Sequence, residues 1–219
     1  MLEDLVKGDG YLVRLMDLGL ERLKKMIMDI GEYSAKTVFL AIDSYSQGED
    51  LMDHLYIRSN EIRKMYDEVN ELAVELIARY QPVASDLRFI KSCLEIGYGF
   101  LRFSRYAFDI SQVLRIFGEV TSCDKSTVTK VGEHVKEMVK KSIEAFANRD
   151  INLAKKVKEM DAFVDKTYLY ALEMAPNSKN IKCTISEVLI LRYLERIADH
   201  ATYIADSVTY IISGERVTN

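Results

Sequence analysis

The sequence predicts an all-α fold of two tandem three-helix bundles related by an internal repeat. Three observations carry this. Apolar residues recur at helical spacing along most of the 219-residue chain. Helix breakers are scarce, with ten glycines and two prolines. Those prolines, Pro82 and Pro176, lie 94 residues apart, and superposing them lays the last helix of one half on that of the other. In this register Phe100 falls on Leu194, Arg102 on Arg196, Ala107 on Ala201 and Ile110 on Ile204.

The first segment, to about Gln47, repeats through Leu12, Leu15, Leu23, Met26 and Ile30, then Val38, Ala41, Ile42 and Tyr45. It is one long helix or two in line. Gln47-Gly48-Glu49-Asp50 breaks the pattern, and a second helix runs from about Asp50 to Tyr80 through Ile62, Met65, Val69, Leu72, Leu76 and Ile77. Gln81-Pro82 forces a turn, because a residue before proline is pushed out of the α region, and a third helix follows from about Pro82 to Phe117. Gly118–Asp124 separates the halves, with Ser122 and Asp124 as N-cap candidates. The second half repeats the order: a helix to about Ala147, one to about Glu173, a turn at Ala175-Pro176-Asn177-Ser178, and a last helix to about Ser213 stopped by Gly214. The repeats are assigned to residues 1–120 and 121–219, and short connections make successive helices antiparallel neighbours.

Composition narrows the function. Hydrophobic residues make up 48% of the chain, enough for a substantial core. A net charge of −4 gives no overall pull toward nucleic acid. Cys93, Cys123 and Cys183 form no CxxC, and their odd number argues against a disulfide framework; a reducing cytoplasm is expected. Neither a signal peptide nor a membrane-spanning run is legible. There is no Gly-rich phosphate loop, HExxH or nucleophile elbow, and no histidine follows an acid by three residues.

Four acids stand out. Asp161 and Asp165, and one helix later Glu195 and Asp199, are each four apart and so share a helix face. On antiparallel neighbours the two pairs can converge. Carboxylates gathered this way raise one another's pKa unless a cation neutralises them, and oxygen-only ligation suits magnesium, manganese, calcium or oxidised iron. His200 is a further candidate ligand, although successive helical residues point about 100° apart. Ordinary ion pairs with Arg192, Arg196 and Lys166 account for the same spacing. In the first half Leu101 and Arg105 stand opposite Glu195 and Asp199. For the middle helix two registers are open. An offset of 102 matches the apolar residues better and sets Ser59 and Arg63 opposite Asp161 and Asp165, whereas 94 sets Asp67 and Glu71 there.

QPVASDLRFI (81–90) and LRYLERIADHATYIADSVTYIISGE (191–215) resemble the corresponding segments of the PhoU family of phosphate-uptake regulators. The family's E(D)xxxD motif, associated with clusters of iron, zinc or other ions, matches Asp161-Ala-Phe-Val-Asp165 and Glu195-Arg-Ile-Ala-Asp199. The resemblance implies one metal site, in the second repeat only, holding iron, zinc, magnesium or manganese. It also implies a cytoplasmic adaptor, not an enzyme, acting as a negative regulator. Its partners would be the ATPase of a phosphate transporter and, where one exists, a phosphate sensor kinase; a homodimer is a further expectation. Two other readings are a metal-dependent hydrolase or redox enzyme using the same four carboxylates, and a metal-free scaffold for another transporter.

Overall fold

The computed structural model describes residues 2–118 and 122–215, with side chains from residue 15 onward. The side chain of Leu12 in the first apolar stripe and the 120/121 repeat boundary therefore lie outside what is described. The helices are α1 (Leu2–Gln47), α2 (Met52–Tyr80), α3 (Ala84–Phe117), α4 (Ser126–Asn148), α5 (Ile151–Met174) and α6 (Ile181–Ser213), with a 3₁₀ turn at Ala175–Asn177.

The first segment is one unbroken helix. It ends where Gly48 adopts a left-handed φ of 78°, a conformation without steric cost for glycine. The Gln81-Pro82 turn is present, but Gln81 is left-handed (φ 47°), capping α2 on the carbonyl of Ile77, and α3 starts at Ala84 instead of Pro82. Neither cap candidate before α4 is its N-cap, which is Lys125; Asp124, one residue earlier, accepts the amide of Ser126 at 2.9 Å. Asp150 caps α5 through the amides of Asn152 and Leu153, Asn180 caps α6 through that of Cys183, and Gly214 ends α6 with a φ of 75°.

Helices α1–α3 pack on one another, as do α4–α6, and the two units meet through α3 on α6 and α1 on α4. Burial repeats between them. Ile30, Val38, Ile42 and Tyr45 are buried in α1, and Val131, Val139, Ile143 and Phe146 in α4, at a constant offset of 101. The same register matches Gly31 with Gly132. A Cβ on Gly132 would lie 2.7 Å from Ile42, and one on Gly31 would lie 3.0 Å from Phe100 and 3.4 Å from Ile143. Because Ile42 corresponds to Ile143, these are one close approach repeated about a pseudo-twofold relation. Gly132 lets α4 lie close on α1, whereas Gly31 makes room chiefly for Phe100 of α3.

One reading of the cysteines is corrected. Cys123 and Cys183 form a disulfide, with Cα atoms 5.5 Å apart, while Cys93 is free and buried. The sequence hides this pairing because the partners are 60 residues apart; the antiparallel run of α4 and α5 returns the first turn of α6 to the segment before α4. An odd cysteine count does not exclude one bridge plus a core thiol. Among the described residues no helix is long and apolar enough to cross a membrane.

Candidate metal centre

The centre is built on the facing sides of α5 and α6. Val157 and Val164 anchor α5 in the core, and Leu191, Leu194, Ala198 and Ala201 anchor α6, all fully buried. Asp161 lies between the two α5 anchors and Asp165 one turn beyond it, so both meet the edge of the α5–α6 seam, where Glu195 and Asp199 sit.

Asp161, Asp165 and Asp199 converge, each offering a carboxylate oxygen within 4.8 Å of the other two. Oxygens bound to one cation lie up to about 4–5 Å apart, twice a metal–oxygen distance of roughly 2.0–2.6 Å. The three aspartates are thus within reach of a single ion. Glu195 is beside this group and not among its converging atoms. Its side chain is 13% exposed, and Arg192 Nη1 donates to its Oε1 at 2.7 Å. Arg196 Nη1 donates to Asp199 Oδ2 at 3.1 Å, with its Nε 3.7 Å from Glu195 Oε2. The arginine pairing read from sequence is therefore real for Arg192 and Arg196; among the described residues Lys166 forms no ion pair with the four acids.

The arginines do not satisfy the group. Asp161 Oδ1 and Glu195 Oε2 are buried without a hydrogen-bond partner, a costly state for a carboxylate. Burial, then the charges of Asp165 and Asp199, pushes Asp161 up to about 6. Burial and Asp199 push Glu195 up to about 7, against the opposing pull of Arg192, with Asp165 and Asp161 adding to the rise. Asp199 is raised by burial and Asp165, with Arg192 opposing. Orphaned buried oxygens among mutually repelling carboxylates fit a hard cation as the missing partner.

His200 points elsewhere. Its ring packs 5.4 Å from Tyr203, 5.8 Å from Tyr106 and 6.1 Å from Tyr98, and burial, with Arg102, pushes its pKa down to about 4. The structure does not bring it to the converging oxygens. Tyr203, which no sequence motif marks, also belongs to these surroundings: its phenol is raised by burial and then by Asp199, Asp161, Glu195 and Asp206. Its place one turn after Asp199 is the signal that could have found it.

Burial also chooses the register of the middle helices. Leu55 and Ile62 are buried in α2 as Val157 and Val164 are in α5, which is the offset of 102. Ser59 then stands where Asp161 does, its hydroxyl 3.4 Å from that of Ser104, and Arg63 stands where Asp165 does. Opposite Glu195 and Asp199 are Leu101, buried at 8%, and Arg105, paired with Asp109 at 3.1 Å. No acid occupies any of the four positions.

The PhoU domain matches this chain twice, over residues 27–114 and 128–208. The chain belongs to the PhoU family. The matches fall one on each helical repeat. A phosphate-specific transport system accessory protein PhoU homolog of Clostridium acetobutylicum is 26% identical over 212 residues, covering 93% of this chain and 97% of its own. Homolog 1 of Methanothermobacter thermautotrophicus is 29% identical over 207 residues, covering 90% and 94%. The crystal structure of PhoU from Pseudomonas aeruginosa superposes with a TM-score of 0.85 at 29% identity, over 91% of this chain and 99% of that one. The PhoU from Streptococcus pneumoniae, a phosphate transport system regulatory protein, gives the same TM-score at 19% identity and so speaks for the PhoU fold alone.

Proposed function

We propose that this chain is an accessory protein of a phosphate-specific transport system. In this reading it is a metal-binding adaptor, not a catalyst. It docks from the cytoplasmic side on the transporter's ATP-hydrolysing subunit and, where the cell has a phosphate sensor kinase, restrains signalling through that kinase. The relatives named for this role and the shared two-repeat architecture support the transport assignment.

One observation carries the metal part: three aspartate oxygens gather within 4.8 Å, beside buried oxygens of Asp161 and Glu195 that nothing hydrogen-bonds. Asp161, Asp165 and Asp199 would hold the ion, with Glu195 as a fourth donor once its side chain turns from Arg192. The ion supplies positive charge that offsets the mutual repulsion. Its role is structural, joining α5 to α6 so that the outer face they form keeps one shape for a partner. The absence of sulfur and imidazole from the donor set favours magnesium, manganese or oxidised iron over zinc.

The test is co-purification of tagged chain with the ATPase subunit of the transporter encoded in the same cell, in phosphate-replete and phosphate-starved cultures. Specific recovery of that subunit is the expected result. Recovery no greater than with an unrelated helical bundle overturns the adaptor reading.

A further inference from the structure

A groove of about 510 Å3 opens between α2, α3 and α6. Its aromatic wall is made by Tyr66, Tyr98, His200 and Tyr203, and Glu95 and Asp206 also line it. The rings do not stack flat. Tyr66 and Tyr98 are 6.3 Å apart at 56°, Tyr98 and His200 6.1 Å at 73°, and His200 and Tyr203 5.4 Å at 83°. Successive rings thus turn like the walls of a box, and Tyr98 and Tyr203 remain about half exposed at its mouth, 48% and 53%.

The repeat indicates what such a box holds. The registers set by burial match Tyr66 with Tyr168 and Tyr98 with Arg192. In the second repeat the Arg192 guanidinium lies 5.3 Å from the centroid of the Tyr168 ring. The first repeat keeps the tyrosine at this position but has Tyr98 in place of the arginine. Among the described residues no lysine or arginine lies over the Tyr66 ring. Ring faces carry negative potential and attract guanidinium groups, so it is the rings that call for a cation; the two carboxylates are already paired with lysines.

We propose that this groove receives an arginine side chain presented by a partner protein, its guanidinium lying against the exposed tyrosine rings of the groove as Arg192 lies against Tyr168 in the second repeat. Glu95 and Asp206 already contact Lys91 and Lys158, and Glu95 also contacts Ser207. An incoming guanidinium shares these carboxylates with the lysines, which keeps the contact weak and reversible. The mouth is open, so an arginine enters with its backbone left outside. That the arginine comes from a protein of the transport system rests on the accessory-protein reading; that the groove takes a guanidinium does not.

The probe is the peptide acetyl-Gly-Arg-Gly-amide, with its isosteric uncharged citrulline counterpart, titrated into the full chain while the tyrosine ring signals are followed by NMR. The arginine peptide should shift Tyr66, Tyr98 and Tyr203, and the citrulline peptide should not. Tyr98→Ala should weaken binding by roughly three- to fivefold. Tyr98→Arg, which copies the second repeat at an exposed position, should abolish it while leaving the helical circular dichroism unchanged. Equal responses to both peptides, or undiminished binding by Tyr98→Arg, overturn the assignment of the groove. Tyr98→Arg should also lose co-purification with the transporter. If it loses the probe but keeps the transporter, docking through the groove is wrong. If wild type binds the probe but never recovers the transporter, the accessory-protein reading fails, and the partner named here with it.

Discussion

Ser59, Arg63, Leu101 and Arg105 occupy in the first repeat the places that Asp161, Asp165, Glu195 and Asp199 occupy in the second. The backbone around both sets is alike: Ile62 and Val164, Phe100 and Leu194, Ala107 and Ala201 are buried at matched positions. The difference lies in what each seam asks of its polar groups. The first is closed by its own atoms, with a serine facing a serine, a buried leucine and an arginine on Asp109. The second leaves carboxylate oxygens buried and unbonded, and raises the pKa of Asp161, Glu195 and Asp199. Self-repelling acids on a shared scaffold cost stability, and the metal-binding reading proposed above rests on this asymmetry, which is confined to the second repeat.

The repeats also differ in covalent linkage, and this has the largest expected effect. The Cys123–Cys183 bridge closes a 60-residue span that includes α4 and α5 and has no counterpart in the first repeat. Chain entropy for a loop of that size corresponds to about 4 kcal/mol. Denaturant unfolding in oxidising and reducing buffer should differ by an amount of that order, with the second repeat losing stability. Identical midpoints would mean that the bridge does not form in solution.

The shared crossing of α1 and α4 gives the next test. Gly132→Leu drives a side chain into Ile42 and Gly31→Leu one into Phe100 and Ile143; each should cost about 1–3 kcal/mol. Thermal unfolding should show both variants destabilised. A neutral result at one glycine and not the other would break the pseudo-twofold relation on which the comparison rests.

Most of the scaffold is legible in the sequence, because two prolines and 3.6-residue periodicity are local signals. The turns at Gln47–Asp50, Gln81-Pro82 and Ala175–Ser178 fall where the chain bends. The unbroken length of α1 is not legible, since the apolar spacing admits one long helix or two in line, and only packing shows Leu76 against Gly19 and Phe100 against Gly31. Helical spacing places the acids on one face, but it does not distinguish Asp161, which an arginine does not reach, from Glu195, which Arg192 does. Which oxygens stay unpartnered depends on how α5 lies on α6. The disulfide and the tyrosines around His200 are likewise products of packing between distant segments.

The smallest effect is in pH dependence. Asp161 and Glu195 have folded-state pKa values raised to about 6 and about 7, so their contribution to stability is complete below their unfolded values near 4 and is lost as pH rises through 6 and 7. With a chelator present, the protein should therefore lose stability from these groups between about pH 4 and 7.5. Both are partly solvated, which reduces the expected loss to about 1–2 kcal/mol. Asp161→Asn should flatten this part of the profile and be the more stable protein at pH 7.5 without metal. A profile unchanged by Asp161→Asn would contradict the repulsion inferred for the second repeat.

Elemental analysis of purified protein, wild type beside Glu195→Ala/Asp199→Ala, tests the central claim most directly. The account predicts a divalent or trivalent metal bound stoichiometrically to the wild type and lost from the double variant, with the helical content of the two unchanged. Equal metal in both proteins, or none in a wild type supplied with magnesium, manganese and iron, would contradict it.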